Sequence, residues 1–305
     1  MPSKRSCGRR YQSLLCPTAK TWGLTYDDGP AFYTTQLLDY LDTANLKSTF
    51  FVVGSRVISF PAVLQAEYMA QHQIAVHTWS HPALTTLTNE QIIAELGWTK
   101  KAIKDVLGVT PNMMRPPFGD IDDRVRAISM AMGLVPVMWT RISPTETFDT
   151  GDFEVHGGTT TVQQVMSNWQ GIMNNVTQRQ DGFIVLEHDL FQQTVEIATG
   201  YILPDAQARG LTIEPVSTCL KRPMADAYIE TNNNQTNPPP SGSGAKSISA
   251  PSPTSTDQGG TNIGNSSSSG GSGSSGSGAV PSLHFGTAAV LTTFAGVLAG
   301  LLSVF

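Results

Sequence analysis

The sequence predicts an α/β fold with a mainly parallel sheet, on two observations. Short apolar segments of strand character alternate with stretches of helical period between residues 20 and 222, and no repeat of fixed period is visible. In chain order, Thr21–Tyr26 is the first expected strand and Thr35–Asn45 the first helix. Ser48–Val53 follows as a strand, Pro61–His72 as a helix and Ile74–His77 as a strand. The best marked helix runs from Asn89 to Leu107. Thr88 and Gln91 form its capping box, Ile92, Ile93, Leu96, Ile103 and Val106 give an apolar stripe, and Gly108 with Pro111 ends it. Met113–Arg115, Val135–Trp139, Phe183–Glu187 and Leu211–Pro215 complete the strands, with helices expected at Asp123–Met132 and Val162–Val176. Seven such strands fit either a barrel or an open doubly wound sheet, and the pattern alone does not choose.

Composition narrows the organisation. A length of 305 residues at ~150 per domain suggests two domains, but the chain is too uneven for that. Of the 50 residues from Thr231 to Val280, 34 are Ser, Gly, Pro or Thr, and the only charges are Lys246 and Asp257. Such a stretch cannot bury enough apolar surface to offset the entropy of ordering it. The expected layout is an N-terminal segment 1–19, one folded domain 20–222, a flexible linker 223–280 and a hydrophobic segment 281–305. Residues 1–230 hold 18 Lys+Arg against 23 Asp+Glu, the whole net charge of −5. That mild acidity gives no support to a nucleic-acid partner and fits a neutral or weakly charged ligand.

The last 19 residues, Thr287–Phe305, carry no charge and approach the span of a bilayer core. A tail-anchored helix would normally show flanking positive charge, and a core helix is out of place behind such a linker. With the small residues Ser274, Ser275, Gly276 and Ser277 and a short spacer before it, the tail reads as a glycosylphosphatidylinositol signal, those four being attachment candidates. Such an anchor calls for a secretory signal. The start holds Lys4, Arg5, Arg9 and Arg10 but no apolar run longer than Leu14-Leu15, so the expectation is a precursor truncated at its N-terminus. The expected location is extracellular, anchored to the outer face of the plasma membrane or in the cell wall. Sequons at Asn175, Asn234 and Asn265 are the glycosylation candidates. Cys16 and Cys219 flank the expected strands and could tie the two ends of the domain in an oxidising compartment. Three reduced thiols are the alternative, and Cys7 is the odd one in either case.

Ligand sites in both candidate architectures gather at the carboxyl ends of strands. Asp27 and Asp28 follow the first expected strand, His77 ends the third, Arg115 the fourth, and His188 follows the sixth. His77 and His81, four residues apart, can converge on one cation if the segment turns. Zn²⁺ suits two such nitrogens with one oxygen ligand and leaves a position for water. By itself the H-x3-H pair is as readily structural. Asp27-Asp28 places two carboxylates side by side, which repel unless a cation or a proton separates them. One would bind a metal and the other accept a proton; a solvated turn is the plainer alternative.

Five ordered segments now carry a resemblance. They are Thr25-Tyr26-Asp27-Asp28-Gly29-Pro30, His77-Thr78-Trp79-Ser80-His81, Arg115-Pro116-Pro117-Phe118-Gly119, Asp149-Thr150-Gly151-Asp152-Phe153 and Ile184-Val185-Leu186-Glu187-His188-Asp189. Together they resemble the NodB-type polysaccharide deacetylases, carbohydrate esterase family 4, and above all the anchored fungal chitin deacetylases. The resemblance implies a distorted (β/α) barrel of the polysaccharide deacetylase type. It implies that Asp28, His77 and His81 hold Zn²⁺, or Co²⁺ or another divalent cation. Asp27 would be the general base, Arg115 its holder, His188 the acid for the leaving amine, and Asp152 the group that orients His188. The Phe118 N–H would help stabilise the oxyanion, Leu186 would line the pocket for the acetyl methyl, and Phe153 would wall the substrate site where the family usually has Trp. Phe118 itself stands where Tyr is usual.

The implied activity is metal-dependent hydrolysis of the N-acetyl groups of N-acetylglucosamine residues in chitin, giving chitosan and acetate. The implied partners are chitin or another N-acetylglucosamine polysaccharide, and the membrane through the anchor. An O-acetyl polysaccharide esterase or related amidohydrolase is the alternative, followed by a wall carbohydrate-binding protein without catalysis.

Overall fold

Alternation at period two decides which way each strand residue faces. The computed structural model describes residues 16–143 and 145–230. In β3 (Thr49–Val52) and β4 (Gln73–Val76), Phe50, Val52, Ile74 and Val76 join the large core against the helices. Phe51 and Ala75, one residue out of phase, join a second core with Met113, Val137 and Ile184. Two cores on opposite faces of one strand layer are what a curved, closing sheet produces.

The closure is irregular. One sheet orders β2 (Thr25–Asp27), β3, β4, β5 (Met113–Met114) and β6 (Val135–Pro136); the other places β1 (Thr21–Gly23) between β7 (Phe183–Ile184) and β8 (Thr212–Glu214). Every pairing between these strands is parallel. The single strand expected at Thr21–Tyr26 is therefore two, parted at Leu24. Its N–H donates to the Glu214 carbonyl at 3.0 Å, while its own carbonyl accepts from the Thr49 N–H at 2.9 Å, so one residue belongs to both sheets. Beyond β6, the Thr140 N–H donates to Ile184 O at 2.9 Å and the Ile184 N–H to Thr140 Oγ1 at 3.0 Å. Those contacts carry the ring from β6 to β7, giving the distorted barrel.

Ten α-helices cover the layer: α1 (Thr34–Thr43), α2 (Gly54–Ser59), α3 (Pro61–Met69), α4 (Asn89–Leu107), α5 (Asp123–Ala131), α6 (Phe153–His156), α7 (Val162–Val176), α8 (Gln192–Ile197), α9 (Leu203–Ala208) and α10 (Val216–Cys219), among the described residues. α4 has the expected bounds and both capping-box hydrogen bonds, and Gly108 closes it at φ +79°. Of its expected stripe Ile92, Leu96 and Ile103 are buried, but Ile93 is 48% exposed. No helix was expected over 192–208, a segment that contains Gly200 and Pro204. A wide turn at Ala198–Ile202 absorbs the glycine, and Pro204 falls in the first turn of α9, where its missing N–H costs nothing.

Cys16 and Cys219 form a disulfide across 203 residues. The pair sits in the inner core with Phe51 and Val137. The fold runs a little past residues 20–222 at both ends, taking in Cys16 and the buried Tyr228, whose hydroxyl accepts from the Ile74 N–H at 3.1 Å. Asn175 stands in the last turn of α7, with Nδ2 donating to Glu146 Oε1 at 3.0 Å. Cys7, Asn234, Asn265, Ser274, Ser275, Gly276, Ser277 and the apolar tail lie outside the described residues.

Candidate active site

Parallel strands deliver the site residues to one rim. β2 ends at Asp27, whose N–H donates to Glu187 O at 3.0 Å; the Asp28 N–H donates to Phe51 O at 3.2 Å with φ +78°. The turn sends the two adjacent carboxylates to different partners. β4 runs into His77, whose N–H donates to Val52 O at 2.9 Å. The chain then curls, with Thr78 at φ +64° and His81 at +60°, and the His81 N–H donates to Thr78 Oγ1 at 3.0 Å.

The curl brings three ligand atoms together. His77 Nε2 lies 3.3 Å and His81 Nε2 3.2 Å from Asp28 Oδ1, and one ligand atom from each residue falls within 4.8 Å of the others. His77 Nδ1 is 2.7 Å from the Arg115 carbonyl, which can only accept, so Nδ1 carries the proton and Nε2 presents its lone pair. Asp28 Oδ1 is buried with no hydrogen-bond donor. Burial works to lower the His77 pKa, yet Asp27 and Asp28 outweigh it and the net shift is upward; burial leaves the His81 pKa lowered. Two imidazole nitrogens and one carboxylate oxygen meet at one point, and this set could hold a metal ion.

Two further groups that can handle protons line the same cleft as the triad. Asp27 Oδ1 accepts from Arg115 Nη1 at 2.8 Å, and its Oδ2 is 3.8 Å from His77 Nε2. Arg115 is fully buried; its Nη1 also donates to Thr25 Oγ1 at 2.9 Å, and its guanidinium lies 4.2 Å from the Phe51 ring centroid. His188 is held twice by Asp152, through Nδ1 to Oδ1 at 2.8 Å and through its N–H to Oδ2 at 2.8 Å. Burial opposes the charged imidazole, but the Asp152 charge and hydrogen bond, helped by Asp28 and Asp27, hold its pKa up to about 10. Asp152 is itself fixed as the cap of α6 by the Phe153 N–H at 2.9 Å.

All these groups except Arg115 and Asp152, which stand behind, line one cleft with Pro116, Phe118, Trp139, Asp149, Gly151, Phe153, Glu154 and Leu186. Phe118 has φ +58°, and its ring meets His81 edge-on at 4.7 Å. Leu186 is buried in the wall, whereas Phe153 is 40% exposed and tilts against His188 at 5.1 Å. Every catalytic, metal and substrate residue expected from the sequence thus falls at or directly behind this cleft. Trp139, Asp149 and Glu154 were not expected there. Trp139 ends an expected strand, so the strand-end rule applied to it equally; its Nε1 donates to Thr147 Oγ1 at 2.6 Å.

Residues 15–137 match the polysaccharide deacetylase family model. The chain is 55% identical over 235 residues to chitin deacetylase 1 of Cryptococcus neoformans var. grubii, covering 75% of this chain and 50% of that protein. It spans about half the length of the curated relatives it matches. Among solved structures, the chitin deacetylase of the fungal pathogen Colletotrichum lindemuthianum matches with TM-score 0.63 and 26% identity, over 71% of this chain and 94% of that one. A deacetylase solved with substrate matches with TM-score 0.57 and 30% identity, over 68% and 93%. The chain belongs to the polysaccharide deacetylase family, carbohydrate esterase family 4.

Proposed function

We propose that the chain hydrolyses N-acetyl groups of N-acetylglucosamine units in chitin, giving chitosan and acetate, with Zn²⁺ held by Asp28, His77 and His81. The observation that carries this is the differently held pair. Arg115-held Asp27 and Asp152-held His188 line one cleft together with the triad. Zn²⁺, or Co²⁺ in its place, lowers the pKa of a water and polarises a carbonyl oxygen. Asp27 takes a proton from the attacking water. His188, protonated at neutral pH, gives its proton to the nitrogen as the carbon–nitrogen bond breaks, so acetate leaves and the sugar keeps a free amine. Without that proton an amine is a poor leaving group, which is why the site needs an acid separate from the base. The Phe118 N–H, which no other backbone carbonyl takes among the described residues, is available to the developing oxyanion. Leu186 packs the acetyl methyl and Phe153 walls the sugar. A glycosylphosphatidylinositol anchor from the 274–305 region would hold the enzyme at the cell wall, and the Cys16–Cys219 bond supports an oxidising compartment.

The test compares Asp27→Asn with the unaltered chain on N-acetyl and O-acetyl oligosaccharides. Asp27→Asn is expected to keep its zinc and lose ~10²–10⁴-fold in acetate release from N-acetylated oligomers. Release from O-acetylated sugars alone would reject the amide reading in favour of an esterase.

A further inference from the structure

The loop between the two ligand histidines is gripped by a side chain to which no role has yet been given. Glu95 stands on α4. Its Oε2 accepts from the Trp79 N–H at 2.7 Å and the Ser80 N–H at 2.8 Å, and its Oε1 accepts from Ser80 Oγ at 2.6 Å. From the opposite direction the first residues of α2 take the loop's carbonyls: the Gly54 N–H donates to Thr78 O at 2.9 Å and the Ser55 N–H to Trp79 O at 3.0 Å. The grip works against strain. Thr78 and His81 both sit in the left-handed region, which is strained for a residue with a side chain and persists only when its surroundings over-determine it.

We propose that Glu95 is a positioning residue for the metal site, holding the curl that carries His81 Nε2 to Asp28. This rests on the reading of Asp28, His77 and His81 as metal ligands. The two histidines depend on Glu95 unequally. His77 is held at the end of β4 by its own N–H to Val52 and by Nδ1 against the Arg115 carbonyl. His81 is 29% exposed at its side chain and is held by its N–H to Thr78 Oγ1, inside the gripped loop. Losing Glu95 therefore loosens the loop at Trp79 and Ser80, next to His81, while α2 still holds the Thr78 and Trp79 carbonyls and Asp28 and His77 stay in place. α4 does not need Glu95 for its own stability, since its capping box and its buried Ile92, Leu96 and Ile103 fix it.

The experiment measures Zn²⁺ affinity by chelator competition for the unaltered chain, Glu95→Ala, Glu95→Asp and Glu95→Gln, with the visible spectrum of each Co²⁺-loaded form. Glu95→Ala is expected to weaken Zn²⁺ binding about 10–100-fold, the usual effect of removing a group that orients a ligand, and to change the cobalt spectrum as a ligand is lost. Glu95→Asp, one methylene short, is expected to weaken binding in the same direction. Glu95→Gln is expected to rescue it, its amide oxygen taking both N–H groups and its amide nitrogen donating to Ser80 Oγ. Thermal unfolding of the metal-free forms identifies any variant that fails to fold; if Glu95→Ala is one, the contrast between Asp and Gln decides. Equal Zn²⁺ affinity across the folded variants, or equal loss in Asp and Gln, would overturn the proposal. An unaltered chain that binds no Zn²⁺ would overturn it together with the metal reading. Because the readout is affinity, failure of the chitin reading does not touch it.

Discussion

In the proposed reaction Asp27 and His188 take opposite proton duties because their neighbours differ: a buried guanidinium on one, a buried carboxylate on the other. That difference has a pH signature. His188 keeps its proton until pH approaches about 10, less whatever a divalent cation at Asp28 subtracts by repulsion, so the acid form is lost as pH rises. Asp152→Asn removes the charge that raises the pKa. The alkaline limb of the kcat profile is expected to move down, toward the ordinary imidazole value of about 6.5. An unmoved limb in that profile would show that His188 is not the acid. Most of the site was legible at this scale, since strand-end placement and five ordered segments single out Asp27, Asp28, His77, Arg115 and His188. Glu95 was not, because a glutamate in the middle of a helix reads as a solvated face until the loop it grips is seen.

At the scale of the element, α4 shows how far periodicity reaches. Thr88, Gln91 and Gly108 marked its ends through local hydrogen bonding and a positive φ, so those bounds needed no tertiary information. The stripe was legible except at Ile93, whose neighbours Ile92 and Leu96 already fill the face toward the core. Leu96→Ala is expected to cost about 2–5 kcal/mol in urea unfolding, and Ile93→Ala to stay within about 0.5 kcal/mol. Comparable losses at both positions would mean that Ile93 is covered in solution. Thr88→Ala is expected to cost about 1 kcal/mol by the same measurement, the usual worth of an N-cap; no loss would mean that the capping box does not hold the helix start. The helices over 192–208 were illegible for the converse reason: Gly200 and Pro204 act as breakers in isolation, and only packing of Val195, Ile202 and Ala206 overrides them.

For the molecule as a whole, the choice between a barrel and an open sheet was out of reach of the pattern. The contact that closes the ring joins Thr140 to Ile184, outside regular strand ladders, and the segment Thr21–Tyr26, which reads as one strand, divides at Leu24 between the two sheets. The resemblance supplied what periodicity could not. The disulfide likewise joins residues too far apart for spacing to decide. Removing it by Cys16→Ser with Cys219→Ser is expected to lower stability by about 2–4 kcal/mol, seen as a lower denaturant midpoint. An unchanged midpoint would show that the bond does not constrain the unfolded chain.

Acetate release from chitin oligomers, followed with zinc, after chelation and after zinc is restored, tests the central claim most directly. The expected result is release that chelation abolishes and zinc restores. Release indifferent to the chelator, or none from any N-acetylated glycan, would contradict it.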